Sequence, residues 1–330
     1  MCVLEALLAR FSSSRPTQRD SMATGTSEEY SPLPLIDNSV YQLYAPEGGI
    51  TPEVDIVFFH GLYVGDSKDA HWKAWLSSSG ILWPRTLLGQ RKLPKARILS
   101  VSYDSSIRKP SQSEGEDIYR VGENLVQDII ERADVRVGAG KRPVVLVGHS
   151  LGGMVIKSFL QRASETKDIE DPEMESAYIE RINTFLANLR GVFFYATPHH
   201  GSRMAEVVSR FPPNSDLSST DLLQYWQILN KYTERLNEDF RNLRNKLNIR
   251  TYGVAESVPS NLHALGIKFE GMVVEEASAR HDMNRFYTAR QSDHFDVCIH
   301  TSDKDSGFQG LVDFVNDSIP GKADERSSRS

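Results

Sequence analysis

The chain has 330 residues, 39% of them hydrophobic and 25% charged, with 38 Lys and Arg against 44 Asp and Glu for a net charge of −6. That is an ordinary globular composition with enough apolar residues for one sizeable core, and its acidic excess removes the electrostatic case for a nucleic-acid partner. Cys2 and Cys298 stand at opposite ends of the chain, so no disulfide framework or thiolate metal site follows from them, and an intracellular, reducing compartment is expected.

From Phe11 to Thr26 the chain is rich in Ser, Arg and Thr, with Asp20 its only acid after Glu5. Residues 1–37 therefore suit an organelle transit peptide and suit a disordered leader equally, with Met22 an alternative initiator; cytosol and mitochondrion both stay open as locations. Residues 38–320 are expected to form one catalytic domain, and the polar tail 321–330 to be disordered. The longest apolar runs, Val54–Phe59, Pro143–Gly148 and Gly191–Ala196, are strand length, well short of the ~20 residues a membrane-spanning helix needs.

Within the domain, buried-strand runs alternate with helical spacing. Val54–His60, Arg97–Tyr103, Val144–Gly148, Gly191–Ala196, Ile249–Ala255 and Arg285–Ala289 read as strands, and Ile118–Ala133 and Met154–Ala163 as helices. This alternation predicts an α/β chain with a mostly parallel central sheet covered by helices on both faces. Leu222, Trp226, Leu229, Leu236, Phe240 and Leu243 step by threes and fours after the cap candidates Ser218, Ser219 and Thr220, which predicts one long amphipathic helix packing on the core.

An apolar strand runs directly into Gly148-His149-Ser150-Leu151-Gly152 and then into a helix. That context makes the G-x-S-x-G pattern chemically informative. Ser150, the candidate nucleophile, must occupy a sharp turn, and side chains at 148 or 152 would collide with the neighbouring strand or helix. Oxyanion donors are expected from the backbone N–H of Leu151 and, across the loop opened by Gly61, from that of Leu62. His60 reads as a buried brace of that loop. Of nine histidines, His294 lies after the last strand, where this fold places its base; His281 precedes that strand and His300 lies farther on. For the acid, Glu256 at the end of Ile249–Glu256 is the first choice, with Glu270 and Glu275 competing from the following excursion.

These landmarks, together with Val57-Phe-Phe-His-Gly-Leu, Ala96-Arg-Ile-Leu-Ser-Val-Ser-Tyr-Asp, Gly191-Val-Phe-Phe-Tyr-Ala-Thr-Pro-His-His-Gly-Ser and Asp293-His294, resemble the serine-active-site-containing family of lipase-like α/β-hydrolases, related to glycolipid-anchor deacylases. The family's strand ending in a glutamate maps onto Glu256, which supports that choice of acid. The chain departs from the family pattern at Ala196, where glycine is usual, and at Glu275 and Ala277, where proline and a second glutamate are usual; Ala277 cannot supply that carboxylate. His199 and His200 read as shaping the loop beside the site.

The resemblance implies a serine ester hydrolase acting on a lipid-like ester or thioester, with peripheral membrane contact as part of that expectation. Its chemistry calls for neither metal nor organic cofactor. Two other readings stand beside it: an inactive binding scaffold on a hydrolase body, with Tyr225 or Trp226 blocking the pocket, and a peptidase with an extended cleft. Loop Ser105–Glu116 and segments Gly201–Thr220 and Ser257–Asn284 are expected to wall the pocket.

Overall fold

A computed structural model of the protein describes residues 39–62, 69–103, 115–132, 135–167, 176–203, 219–261 and 269–322. The expected leader, and most of loop 105–116 and segment 201–220, lie outside them.

Strands β1 (Val40–Tyr44) and β2 (Val54–Phe59) are followed by a short helix α1 (Ala70–Lys73), a π-helical stretch over Pro84–Lys92 and β3 (Ala96–Val101). Helix α2 (Gly115–Val126) widens into a π-helical turn at Gln127–Glu131 before β4 (Val144–His149), α3 (Leu151–Lys167), α4 (Ser176–Asn188) and β5 (Leu189–Tyr195). The long α5 (Ser219–Leu247) leads to β6 (Arg250–Ala255) and to two short strands, β7 (Ser260–Asn261) and β8 (Glu270–Gly271). Helix α6 (Glu276–Arg280), β9 (Arg285–Thr288) and α7 (Ser306–Asn316) complete the order.

Seven strands form one sheet in the order β1-β3-β2-β4-β5-β6-β9. Its neighbouring pairs run parallel except β1 with β3. All six residues of β2 and of β4 are buried, as expected of strands covered on both faces. Alternate side chains feed two cores. Ile56 and Phe58 pack with Trp75, Trp83 and Phe308 on one face, while Val57 and Phe59 pack with Ile156, Phe159 and Phe185 on the other. Each such aromatic contributes about 1.5–3 kcal/mol by leaving water. This sheet, with its turn from β4 into α3, is that of the α/β-hydrolase fold.

The strands expected from sequence are present with ends shifted by one or two residues. Sequence reasoning passes over β1, α4 and α7, and over the short elements α1, α6, β7, β8 and the π-helical Pro84–Lys92. Strand β1 is a half-buried antiparallel edge and carries the weakest signal. Helix α7 is capped by Asp305, whose carboxylate accepts from the N–H groups of Gly307 and Phe308.

Candidate active site

Ser150 sits between β4 and α3 with φ +51°, the left-handed conformation a sharp strand-to-helix turn imposes. Its N–H donates to the Tyr195 carbonyl at 2.8 Å, which fastens the turn to β5. Both flanking glycines are required by close approach. A Cβ on Gly152 would lie 2.2 Å from the Phe59 carbonyl oxygen, and one on Gly148 would lie 2.8 Å from the Gly153 nitrogen.

His294, in the turn beyond β9, brings Nε2 to 3.0 Å from Ser150 Oγ and Nδ1 to 2.7 Å from Glu256 Oε2. Glu256 immediately follows β6, and its other oxygen, Oε1, accepts the N–H groups of Val273 at 2.6 Å and Val274 at 3.2 Å. Glu256 and His294 are each 1% exposed. Glu270 and Glu275 are exposed, so of the three competing glutamates the fold brings Glu256 to the imidazole. Ala277, where the family has its second glutamate, is exposed on α6.

The main chain of His294 is held at both ends. Its N–H donates to Ser260 Oγ at 3.2 Å, and its carbonyl accepts from His149 Nε2 at 2.9 Å. Burial pushes His149 down to about 3, so its ring is neutral and Nε2 must carry the proton to serve that carbonyl. His149, Ser260 and the Val273–Val274 amides are the supporting groups that sequence reasoning missed. His149 stands in plain view as the variable residue of the motif; the others meet the site only through the fold.

The loop expected to supply an oxyanion donor passes beside the serine: a Cβ on Gly61 would lie 3.0 Å from Ser150 Cβ. Leu62 follows on that loop, and Leu151 opens α3 on the other side of the turn. His60 is fully buried, stacked on Tyr103 at 4.3 Å, with Nδ1 donating to the Gly61 carbonyl at 2.9 Å. Burial pulls its ring down to about 4, a neutral brace rather than a charged group. His199 is likewise buried, whereas His200 is exposed and meets His281 at 2.6 Å.

A cavity of about 530 Å³, bounded by Tyr287, Arg290, Val297, His300, Lys304 and Asp305, adjoins the turn that carries His294 but does not reach Ser150. Among the described residues no three His, Cys, Asp or Glu side chains are grouped to hold a metal ion. No helix among them is long and apolar enough to cross a membrane. Ile50, 51% exposed, is the large hydrophobic residue standing out into solvent among the described residues, and it precedes β2 at the end of the sheet away from Ser150. The side chains of Tyr225 and Trp226 lie outside the described residues.

Human protein SERAC1 is 31% identical over 243 residues, covering 68% of this chain and 33% of that protein. The zebrafish (Danio rerio) protein SERAC1 is 25% identical over 293 residues, covering 82% of this chain and 40% of that protein. The chain thus spans about a third of the length of the curated mammalian relatives it matches. Among solved structures, the mature Bacillus licheniformis lipase BlEst2 overlays with a TM-score of 0.45 and 16% identity, covering 78% of this chain and 92% of that one. The family model described as "Putative serine esterase (DUF676)" matches residues 56–238, more than half of the chain. With a G-x-S-x-G serine inside that matched span, the chain belongs to this serine esterase family.

Proposed function

We propose that the protein is a hydrolase of lipid-like carboxylic esters or thioesters that works through an acyl-enzyme on Ser150. The observation that carries this reading is the unbroken line Ser150 Oγ, His294, Glu256, with 3.0 Å and 2.7 Å links. In it His294 Nε2 takes the hydroxyl proton as Oγ attacks the substrate carbonyl, and Glu256 orients the ring and balances the imidazolium at Nδ1. The backbone N–H groups of Leu62 and Leu151 receive the oxyanion, with the N-terminus of α3 adding its dipole. The imidazolium then protonates the departing alcohol or thiol. In the second half water gives its proton to His294 and attacks the acyl carbon, and Ser150 Oγ leaves with that proton. Membership in a serine esterase family supports the ester class, and the family resemblance supports a lipid-like acyl group.

The test is labelling of the purified protein with a fluorophosphonate probe, followed by turnover of p-nitrophenyl esters of increasing acyl length. Labelling is expected in the wild type and absent in Ser150→Ala and His294→Ala, with turnover rising toward longer chains. A folded wild type that neither labels nor turns over any ester would overturn the reading in favour of a binding scaffold.

A further inference from the structure

Two turns beyond Ser150 on α3 stands Lys157, 2% exposed. Its ammonium nitrogen lies 2.7 Å from His199 Nδ1, donates to Asn237 Oδ1 and faces the rings of Phe194 and Phe240 at 5.8 and 5.4 Å. Among the described residues it meets no carboxylate. Burying an amine in this way is costly, and an apolar side chain of the same length would fill the space at less expense. The amine therefore calls for an explanation that packing alone does not give.

Its two polar partners both belong to one clamp. Asn237, on α5, accepts from Lys157 at Oδ1 and donates from Nδ2 to the His199 carbonyl. Together they grip the segment that leaves β5, at residues 197–203, from two helices at once. That segment starts on Ala196, strained at φ +40°, and Thr197 lies against Gly153, where a Cβ would come within 2.1 Å of Oγ1. Beyond His199 the segment is stitched to the 273–279 stretch. The His200 N–H donates to Ser278 Oγ at 2.9 Å, Ser278 Oγ donates to the Gly201 carbonyl at 2.9 Å, and the Arg203 N–H donates to the Val273 carbonyl at 2.8 Å. Val273 and Val274 in turn supply the two N–H groups on Glu256 Oε1.

We propose that Lys157 is a positioning residue for the acid. By fixing the 197–203 segment through His199 and Asn237, it holds the Val273–Val274 peptides against Oε1 of Glu256, so that Oε2 faces His294. The inference rests on the roles proposed above for Ser150, His294 and Glu256. Spatial continuity alone does not establish such coupling, and a double-mutant cycle does.

The test compares Lys157→Met in the wild-type and Glu256→Gln backgrounds, reading the fluorophosphonate labelling rate and the kcat and KM of a p-nitrophenyl ester. In the wild-type background kcat and the labelling rate are expected to fall on the order of 10- to 100-fold with KM unchanged, the size of effect a small misplacement in the site produces. In the Glu256→Gln background the same substitution should change either rate by less than about 3-fold, because the group it acts through is gone. Equal losses in both backgrounds, or no loss in a folded Lys157→Met protein, would overturn the proposal while leaving the esterase reading intact. A wild type that does not label overturns that reading instead, and this proposal with it. Should Lys157→Met fail to fold, Ser278→Ala cuts the same path midway: a loss confined to the Glu256 background supports the proposal, and no loss overturns it.

Discussion

Asp55 and Glu256 are carboxylates buried at opposite ends of one sheet, 0% and 1% exposed, and their surroundings balance them in different ways. Asp55, near the start of β2, accepts from Arg97 Nε at Oδ1 and from Arg142 Nε and the Gly138 N–H at Oδ2, each at 2.8 Å. Two guanidinium groups are permanent cations, so that cluster is electrostatically complete. Glu256 has two peptide dipoles and one imidazole. Peptide N–H groups fix a carboxylate's direction without cancelling its charge, which in the proposed mechanism leaves the balancing cation to be formed on His294 when it takes the serine proton. A buried acid finished with arginines serves the fold, and one left unfinished is suited to chemistry.

The largest expected effect separates the two directly. Glu256→Gln should lower the labelling rate and kcat by about 10³- to 10⁴-fold, the loss seen when an orienting acid is neutralised, while the urea midpoint moves little. A loss below tenfold would break the comparison. Asp55→Ala should do the reverse, leaving two buried guanidinium groups uncompensated and costing about 3–5 kcal/mol of stability by urea denaturation. The folded protein should still label within about 2-fold of the wild-type rate.

Acid should weaken the end of the sheet that carries the site. Burial holds His60 at about 4 and His149 at about 3, below the 6.5 of an exposed histidine. Between pH 6.5 and about 4 the unfolded chain therefore takes up protons that the folded chain refuses, and stability falls as pH falls. The slope is at most about 1.4 kcal/mol per pH unit for each histidine, and His149→Gln should flatten it. A melting temperature that rises on acidification through this window would contradict the assignment of neutral buried rings. Smallest of all, Glu270→Gln and Glu275→Gln should shift stability by less than about 0.5 kcal/mol and leave labelling unchanged, since both carboxylates face solvent. A large loss at either would move the acid away from Glu256.

How much of this was legible in the sequence follows from how local each signal is. β2, β4 and β5 are buried almost throughout, so their apolar runs locate them closely even though Asp55 interrupts the first and Arg190 the last. The serine is marked by glycines two residues to either side, whose need is local to the turn. His294 is marked by its place after the last strand. The sequence leaves three glutamates as candidates for the acid, because the contact that singles out Glu256 depends on Val273 and Val274 folding back across 17 and 18 residues, which no periodicity records. Lys157 is not legible in sequence for the same reason: its partners are 42 and 80 residues away, and within α3 it looks like any helical lysine. Helix α7 is a different case, since Phe308, Leu311, Val312 and Val315 do recur at helical spacing after Asp305.

The bond from the Ser150 amide to the Tyr195 carbonyl makes the proposed nucleophile's own backbone part of the hydrogen bonding between β4 and β5. Amides in such central positions exchange with solvent only when the whole sheet opens. His294 belongs to a turn beyond the edge strand β9 and is tied down by side-chain bonds to Ser260 and His149, contacts of the kind that open in smaller local fluctuations. The two halves of the proposed site therefore run on different clocks, and on gentle warming the His294 contact should be lost before the Ser150 turn opens, with any ester turnover falling while the circular-dichroism signal of the sheet is still intact.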